Sequence, residues 1–269
     1  MTANTAIKNI LFPADFSKLS GHAMISATAM CKRHSATLHV LHVTDSRFLI
    51  VPRDAHTTAV YLMTELEQSG MKSLKTLANK IISKHNIKVA KYLAFGRPAD
   101  TIGKKAIESD CNIIVMGTHG ASGLRGFFIG SNAYSVIKNT TVPVLTIPGK
   151  KKIKDFKKIL FPIRASVRII ELGKALRLQD TAYKSVYFLC RTYAKKVLEI
   201  AKKEKVDLIA INASLDYKWR QFFIGPYTQP VVNHAKVPVM SFRTPNAGSD
   251  IEGAVKEALQ NVKQMTLSV

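Results

Sequence analysis

The chain repeats itself. The stretch "NILFPADFS", Asn9 to Ser17, returns 149 residues later as "KILFPIRAS", Lys158 to Ser166. Farther along, the 37 residues from Cys111 to Ile147 align without a gap on Val206 to Phe242, 95 residues later. Shared landmarks are "FFIG", at Phe127 to Gly130 and Phe222 to Gly225, and the "VPV" that opens the last apolar run of each copy, at Val142 and Val237. An internal repeat of this size restricts the chain to two copies of one structural plan. The two offsets differ by 54, so the second copy lacks about 54 residues between its first strand and its counterpart of "VAKYLAF", Val89 to Phe95.

Within the first copy, short apolar runs rich in β-branched residues alternate with segments of helical periodicity. Strands are expected at "NILFPA", "ATLHVLHV", "KVAKYLAF", "CNIIVMG" and "VPVLTI", with helices over about 19–34, 57–85, 98–109 and 131–139. Runs that are apolar on both faces belong to a parallel, doubly wound α/β sheet covered by helices on each side, with right-handed crossovers. The second copy keeps "KILFPI", a helix over about 167–178, "SVYFLC", the helix "AKKVLEIAKKEK", "VDLIAIN", a short helix after Gly225 and "VPVMSF". The missing piece corresponds to the second strand and second helix, leaving a smaller, four-stranded sheet. The expected organisation is therefore two α/β domains in tandem, 1–150 and a truncated 151–245, followed by an amphipathic helix over 246–269. Ser249 and Glu252 stand at capping-box spacing in that tail, and Ile251, Val255, Leu259 and Val262 follow one face.

In a doubly wound sheet, ligands bind beyond the carboxyl ends of the strands, where strand order reverses. One of those ends feeds a glycine-rich stretch, "MGTHGASGLRGFFIGSNAYSVI", Met116 to Ile137, which then opens a helix. Strand, glycine-rich loop and helix N-terminus together aim backbone N–H groups at an anion, which makes phosphate the candidate ligand. Two known phosphate loops do not fit. The nearest approach to G-x-x-x-x-G-K-[ST], "RPADTIGKKA", has Pro98 in place of the first glycine and Lys105 in place of the hydroxyl. A G-x-G-x-x-G follows none of the expected strands. The stretch instead reads G-x2-G-x9-G-S, through Gly117, Gly120, Gly130 and Ser131.

That spacing resembles the ATP-binding signature of the universal stress protein family. The resemblance covers nearly all of residues 5–148 and, with the deletion, 155–245. It implies adenine-nucleotide alpha-hydrolase-like domains, ATP as the ligand with magnesium as an optional companion, and a regulatory or stress-response role. In nucleotide-binding members the adenosine end lies against the ends of the first and second strands, and the phosphates lie in the glycine loop. Carried over by position, this implicates Pro13 and Asp15 after the first strand, Val43 in "HVTD", and Met116, Gly117, Gly120, Gly130, Ser131 and Asn132. The residue types suit those roles: Asp15 can accept from ribose hydroxyls, Val43 can offer its backbone to adenine, and glycines let the main chain approach phosphate. Asp15 and Ser17 also suit a plain structural duty at the start of the next helix, Ser17 as its cap.

The two copies serve as controls on each other. In the second, Asp15 becomes Arg164, Gly117 becomes Asn212, Gly120 becomes Leu215 and Ser131 becomes Pro226, while the strand carrying Val43 is missing. Arg164 reverses the charge at the ribose position and Pro226 removes a backbone donor. Nucleotide is thus expected in the first copy alone. What both copies retain, "FFIG" and "VPV", reads as packing. In this family the edge strands commonly pair across a dimer, so the two "VPV" strands are expected to pair within this chain and the second copy to act as a built-in dimerisation partner. Two such chains are expected to form a homodimer.

The net charge is +22, which raises a second function class: a nucleic-acid or anionic-surface binder. The charge is spread, with 18 basic against 8 acidic residues over 1–150 and 22 against 10 over the rest. No segment approaches the ~20 apolar residues of a membrane span, and the N-terminus does not pattern as a signal peptide, so a cytoplasmic protein is expected. Cys31, Cys111 and Cys190 are widely spaced and are expected to be buried free thiols, without a disulfide or a metal. No carboxylate pair for magnesium and no base for an attacking water accompanies the loop, so the expectation is a binding protein, with slow ATP hydrolysis at most.

Overall fold

The computed structural model describes residues 7–45, 56–118, 129–149, 156–163, 184–187, 193–213 and 228–242. Its first half runs β1 (Asn9–Pro13), α1 (Lys18–His34), β2 (Thr37–Thr44), α2 (His56–His85), β3 (Val89–Phe95), α3 (Pro98–Glu108), β4 (Ile113–Gly117), α4 (Ser131–Asn139) and β5 (Val144–Ile147). The second continues with β6 (Ile159–Ile163), β7 (Lys184–Tyr187), α5 (Tyr193–Lys203), β8 (Leu208–Asn212), α6 (Thr228–His234) and β9 (Val239–Phe242). Among the described residues the nine strands belong to one sheet, in the order β3-β2-β1-β4-β5-β9-β8-β6-β7. Every pairing is parallel except β5 with β9, which is antiparallel.

Local sequence accounts for the helix ends. Ser17 caps α1, its Oγ accepting from the Ser20 N–H at 3.1 Å, and Ser35 closes it in the left-handed region at φ 53°. Lys32 and Arg33 stand in the last turn, where positive charge complements the helix dipole. Pro98 opens α3 at a position that needs no N–H.

Alternate residues of each strand feed two cores, one per face of the sheet. One takes Ile10, Phe12, Leu38, Val40, Ile113, Val115 and Leu145, packed under α1 and α2 through Ala27, Met30 and Leu74. The other takes Leu11, Leu41, Ile114, Met116, Val144, Ile209 and Val239, under α3, α4, α5 and α6. Burial on both faces explains why the strands read as unbroken apolar runs.

The repeat seen in the sequence is also a repeat of hydrogen bonds. Asn112 Oδ1 accepts from the N–H groups of Lys8 and Asn9, at 2.7 and 3.0 Å, and Asp207 Oδ2 accepts from those of Lys157 and Lys158, at 3.1 and 2.9 Å. Ile114 N–H donates to Pro143 O and Ile209 N–H to Pro238 O; Thr118 N–H donates to Ile147 O and Ala213 N–H to Phe242 O. Among the described residues the second half contributes the four strands β6, β7, β8 and β9. The 95-residue offset matches β7 to β3, yet β7 pairs directly with β6, in the place β2 takes beside β1. With the second strand deleted, the flank of β6 would carry unpaired N–H and C=O groups, and the next strand in the chain pairs there instead. The helices expected over 167–178 and 246–269 lie outside the described residues.

Candidate functional site

Strand order reverses between β1 and β4, because the chain travels β1-β2-β3 in one direction and then returns to place β4 on the other side of β1. A cleft of about 300 Å³ opens at the carboxyl ends of these strands, at the lower end of the ~300–1,000 Å³ usual for ligand sites. Of the nine residues implicated from the sequence, Pro13, Asp15, Val43, Met116, Gly117, Gly130, Ser131 and Asn132 all line it. Gly120 lies outside the described residues. Residues from four elements and two loops, up to 119 positions apart, thus converge on one cavity.

Each wall has its own chemistry. On one side β1 ends at Pro13 and the chain turns through Asp15, Phe16 and Ser17 into α1. Phe16 sits at φ 57°, rarely adopted by a bulky side chain. That turn lets Asp15 Oδ1 accept the Ser17 N–H at 2.9 Å while the half-buried carboxylate still faces the cleft. Asp15 therefore braces the loop and also lines the cleft. The end of β2 supplies Leu41, His42 and Val43. His42 Nδ1 donates to Ala14 O at 2.8 Å, and its ring lies 4.5 Å from that of Phe16, centroid to centroid. With Nδ1 as the donor, a neutral His42 presents Nε2 as an acceptor.

Opposite, α4 begins at Gly130. Its N-cap has no side chain to accept the helix's first N–H groups, and no acidic residue stands in the first turn. Among the described residues no side chain caps those N–H groups; the exposed Ser131 and Asn132 stand beside them, with the positive end of the helix dipole behind. Thr118 N–H donates to Ile147 O at 3.2 Å and Thr118 O accepts from Gly130 N–H at 2.6 Å, so the end of β4 and the start of α4 are joined. Pro98 and Ile102 of α3 add apolar surface, and Ser20 a hydroxyl. Among the described residues, Asp15 is the one carboxylate in the lining and His42 the one imidazole.

Ser20, Leu41, His42, Pro98, Ile102 and Thr118 were not read from the sequence. His42 was the most accessible of them, since it immediately precedes Val43. Pro98 and Ile102 carry no local signal, because their presence depends on how α3 crosses the sheet. Away from the cleft, Cys31 and Cys111 are buried and unpaired. Burial pushes both thiols up to about 12, with Asp110 adding to the effect at Cys111, which keeps them protonated and unreactive at neutral pH.

Fold and cleft define a doubly wound α/β protein with an anion-receptive helix start at its switch point. The model of the universal stress protein family matches residues 6–148, just over half of the chain. The chain is 32% identical over 146 residues to universal stress protein MJ0531 of Methanocaldococcus jannaschii, covering 54% of this chain and 84% of the relative. It is 30% identical over 146 residues to universal stress protein YxiE of Bacillus subtilis, covering 51% and 97%. A universal stress protein from Archaeoglobus fulgidus superposes with a TM-score of 0.68 at 17% identity, over 87% of this chain and 96% of that one; at such identity the likeness is one of fold. The chain belongs to the universal stress protein family.

Proposed function

We propose that this chain is an ATP-binding universal stress protein with a regulatory, stress-response role. One observation carries the reading: eight of the nine residues implicated from the sequence, far apart along the chain, line a single cleft at the switch point. The chemistry of that cleft divides as an adenine nucleotide does. Leu41, Val43, Ile102 and Met116 suit a flat apolar ring, Asp15 can accept from ribose hydroxyls, and the open N-terminus of α4 suits phosphate. Gly117, Gly130, Ser131 and Asn132 stand at the phosphate end, and Pro13 walls the adenosine end. Magnesium, where present, would accompany the phosphates.

In this account the second half is a truncated copy without nucleotide. Asn212, at the end of β8, puts a side chain where β4 ends in Gly117. Its role is to cover the β5 edge that would otherwise await another subunit. Calorimetric titration of the full chain with ATP tests the reading: one site per chain is expected, and no binding would overturn it.

A second reading rests on a specific feature. Between α5 and α6 runs a groove lined by Lys195, Lys202, Lys205, Lys236 and His234, with one carboxylate, Glu199, and the apolar Leu198 and Val237. Four lysines on one groove fit a polyanion such as a nucleic-acid backbone, and such binding would weaken steeply with salt.

A further inference from the structure

The second half does more than cover an edge, because one of its side chains reaches the glycine-rich segment of the first. Asn233, in the last turn of α6, accepts the Ile129 N–H on its Oδ1 at 3.0 Å. Ile129 is 9% exposed and immediately precedes Gly130, the residue that opens α4. Its side chain belongs to the same apolar cluster as Val231 and Val232, which lie just before Asn233 on α6. With Gly130 N–H on Thr118 O and Thr118 N–H on Ile147 O, the two ends of the glycine-rich segment are fixed by three hydrogen bonds. Two lie within the first half; the third comes from the second.

We infer that Asn233 is a positioning residue for the phosphate end of the cleft, setting from the second half the place where α4 begins. This rests on the reading of the cleft as a nucleotide site. The repeat supplies an independent argument. Under the 95-residue offset, the counterpart of Asn233 is Lys138, on α4. A lysine ammonium donates and cannot accept, so the first half cannot return this bond to the second. The acceptor is present at position 233 of the second half and missing from its counterpart, position 138, in the first. A contact needed only to glue two halves together would gain by being made twice. Removing the acceptor would leave a nearly buried N–H unpaired one residue before the helix start, where small displacements shift every donor of the first turn.

The test compares ATP with adenosine, in calorimetric titrations of the full chain and of Asn233→Ala, with thermal melting of both. ATP affinity is expected to fall about five- to tenfold in the variant, with adenosine affinity unchanged. Unchanged ATP affinity in a folded variant would overturn the inference, and so would equal losses for ATP and adenosine, since a general loosening affects both. Should Asn233→Ala fail to fold, amide hydrogen exchange on the unaltered chain decides. Slower exchange at Ile129 with ATP than with adenosine supports the inference, and equal exchange overturns it. An unaltered chain that binds neither compound overturns the nucleotide reading itself, and this inference with it.

Discussion

Leu145 and Met240 stand opposite each other in the antiparallel β5–β9 ladder, and the 95-residue offset that relates the two halves carries one onto the other. The flanking pairs obey the same relation: Val144 faces Ser241, Thr146 faces Val239, and the offset converts the first pair into the second. A local twofold axis therefore passes between Leu145 and Met240. This is the geometry of a self-complementary interface between two subunits, realised inside one chain. Both side chains are fully buried, and Thr146 Oγ1 adds a hydrogen bond to Val239 O at 3.0 Å.

That position sets the first prediction. Truncating Leu145 or Met240 to Ala should cost about 2–5 kcal/mol each, from lost burial and the cavity left behind. Because the two sites adjoin, the double variant should lose measurably less or more than the sum. Urea unfolding of the four proteins provides the check. Additive losses under ~1 kcal/mol would mean that the two halves do not depend on this contact.

Much of this was legible beforehand, for identifiable reasons. The parallel strands are buried on both faces, so their apolar runs stand out, and Ser131 to Asn139 and the end of α1 at His34 coincide with the expected helix ends. Asp15, Met116 and Gly130 could be named because the glycine spacing resembles a family signature, and the positions that resemblance implies fall at strand ends and a helix start. The place of β7 could not: the choice between the positions of β2 and β3 is decided by which edge lacks a partner, a property of the assembled sheet. Pro98 and Ile102 escaped for a similar reason, since α3 reaches the cleft only through its crossing over the sheet. Asn233 escaped because nothing local to α6 refers to a segment about a hundred residues earlier.

A second prediction concerns Asp15. If its carboxylate accepts a ribose hydroxyl, Asp15→Ala should weaken ATP about tenfold or more, as hydrogen bonds to charged groups contribute ~1.5–3 kcal/mol. The unaltered chain should also prefer ATP to its deoxyribose analogue, and the variant should lose that preference. Equal affinities of variant and parent for ATP would confine Asp15 to bracing the Ser17 N–H.

A third prediction follows from His39 on β2, whose Nε2 donates to Asn9 Oδ1 at 3.1 Å while Nδ1 accepts from the Tyr92 hydroxyl at 3.2 Å. Burial holds the pKa of His39 below its ordinary value, and burial followed by Arg33 does the same at His34. The folded chain then binds fewer protons than the unfolded chain as pH falls below about 6.5. Stability contributed by the neutral rings is complete above that pH and is lost as the pH falls from there toward the lowered folded values. Melting temperatures between pH 7.5 and 5 should decline on acidification, less steeply in His39→Gln. A flat profile, or identical slopes for the two proteins, would contradict the assignment.

A fourth prediction addresses the lysine groove. Replacing Lys202 and Lys236 together by Glu should weaken binding to random double-stranded DNA and make it less sensitive to salt, because fewer counterions are released. ATP affinity should stay the same, as neither Lys202 nor Lys236 lines the cleft. DNA binding with an unchanged salt slope would remove the groove from the account.

The central claim is that one nucleotide binds per chain, in the cleft between β1 and β4. It is tested most directly by calorimetric titration of the full chain with ATP, beside Gly117→Val, which puts a branched side chain at the end of β4. The account predicts one site per chain and its loss in the variant without loss of fold. Two sites per chain, or equal binding by the variant, would contradict it.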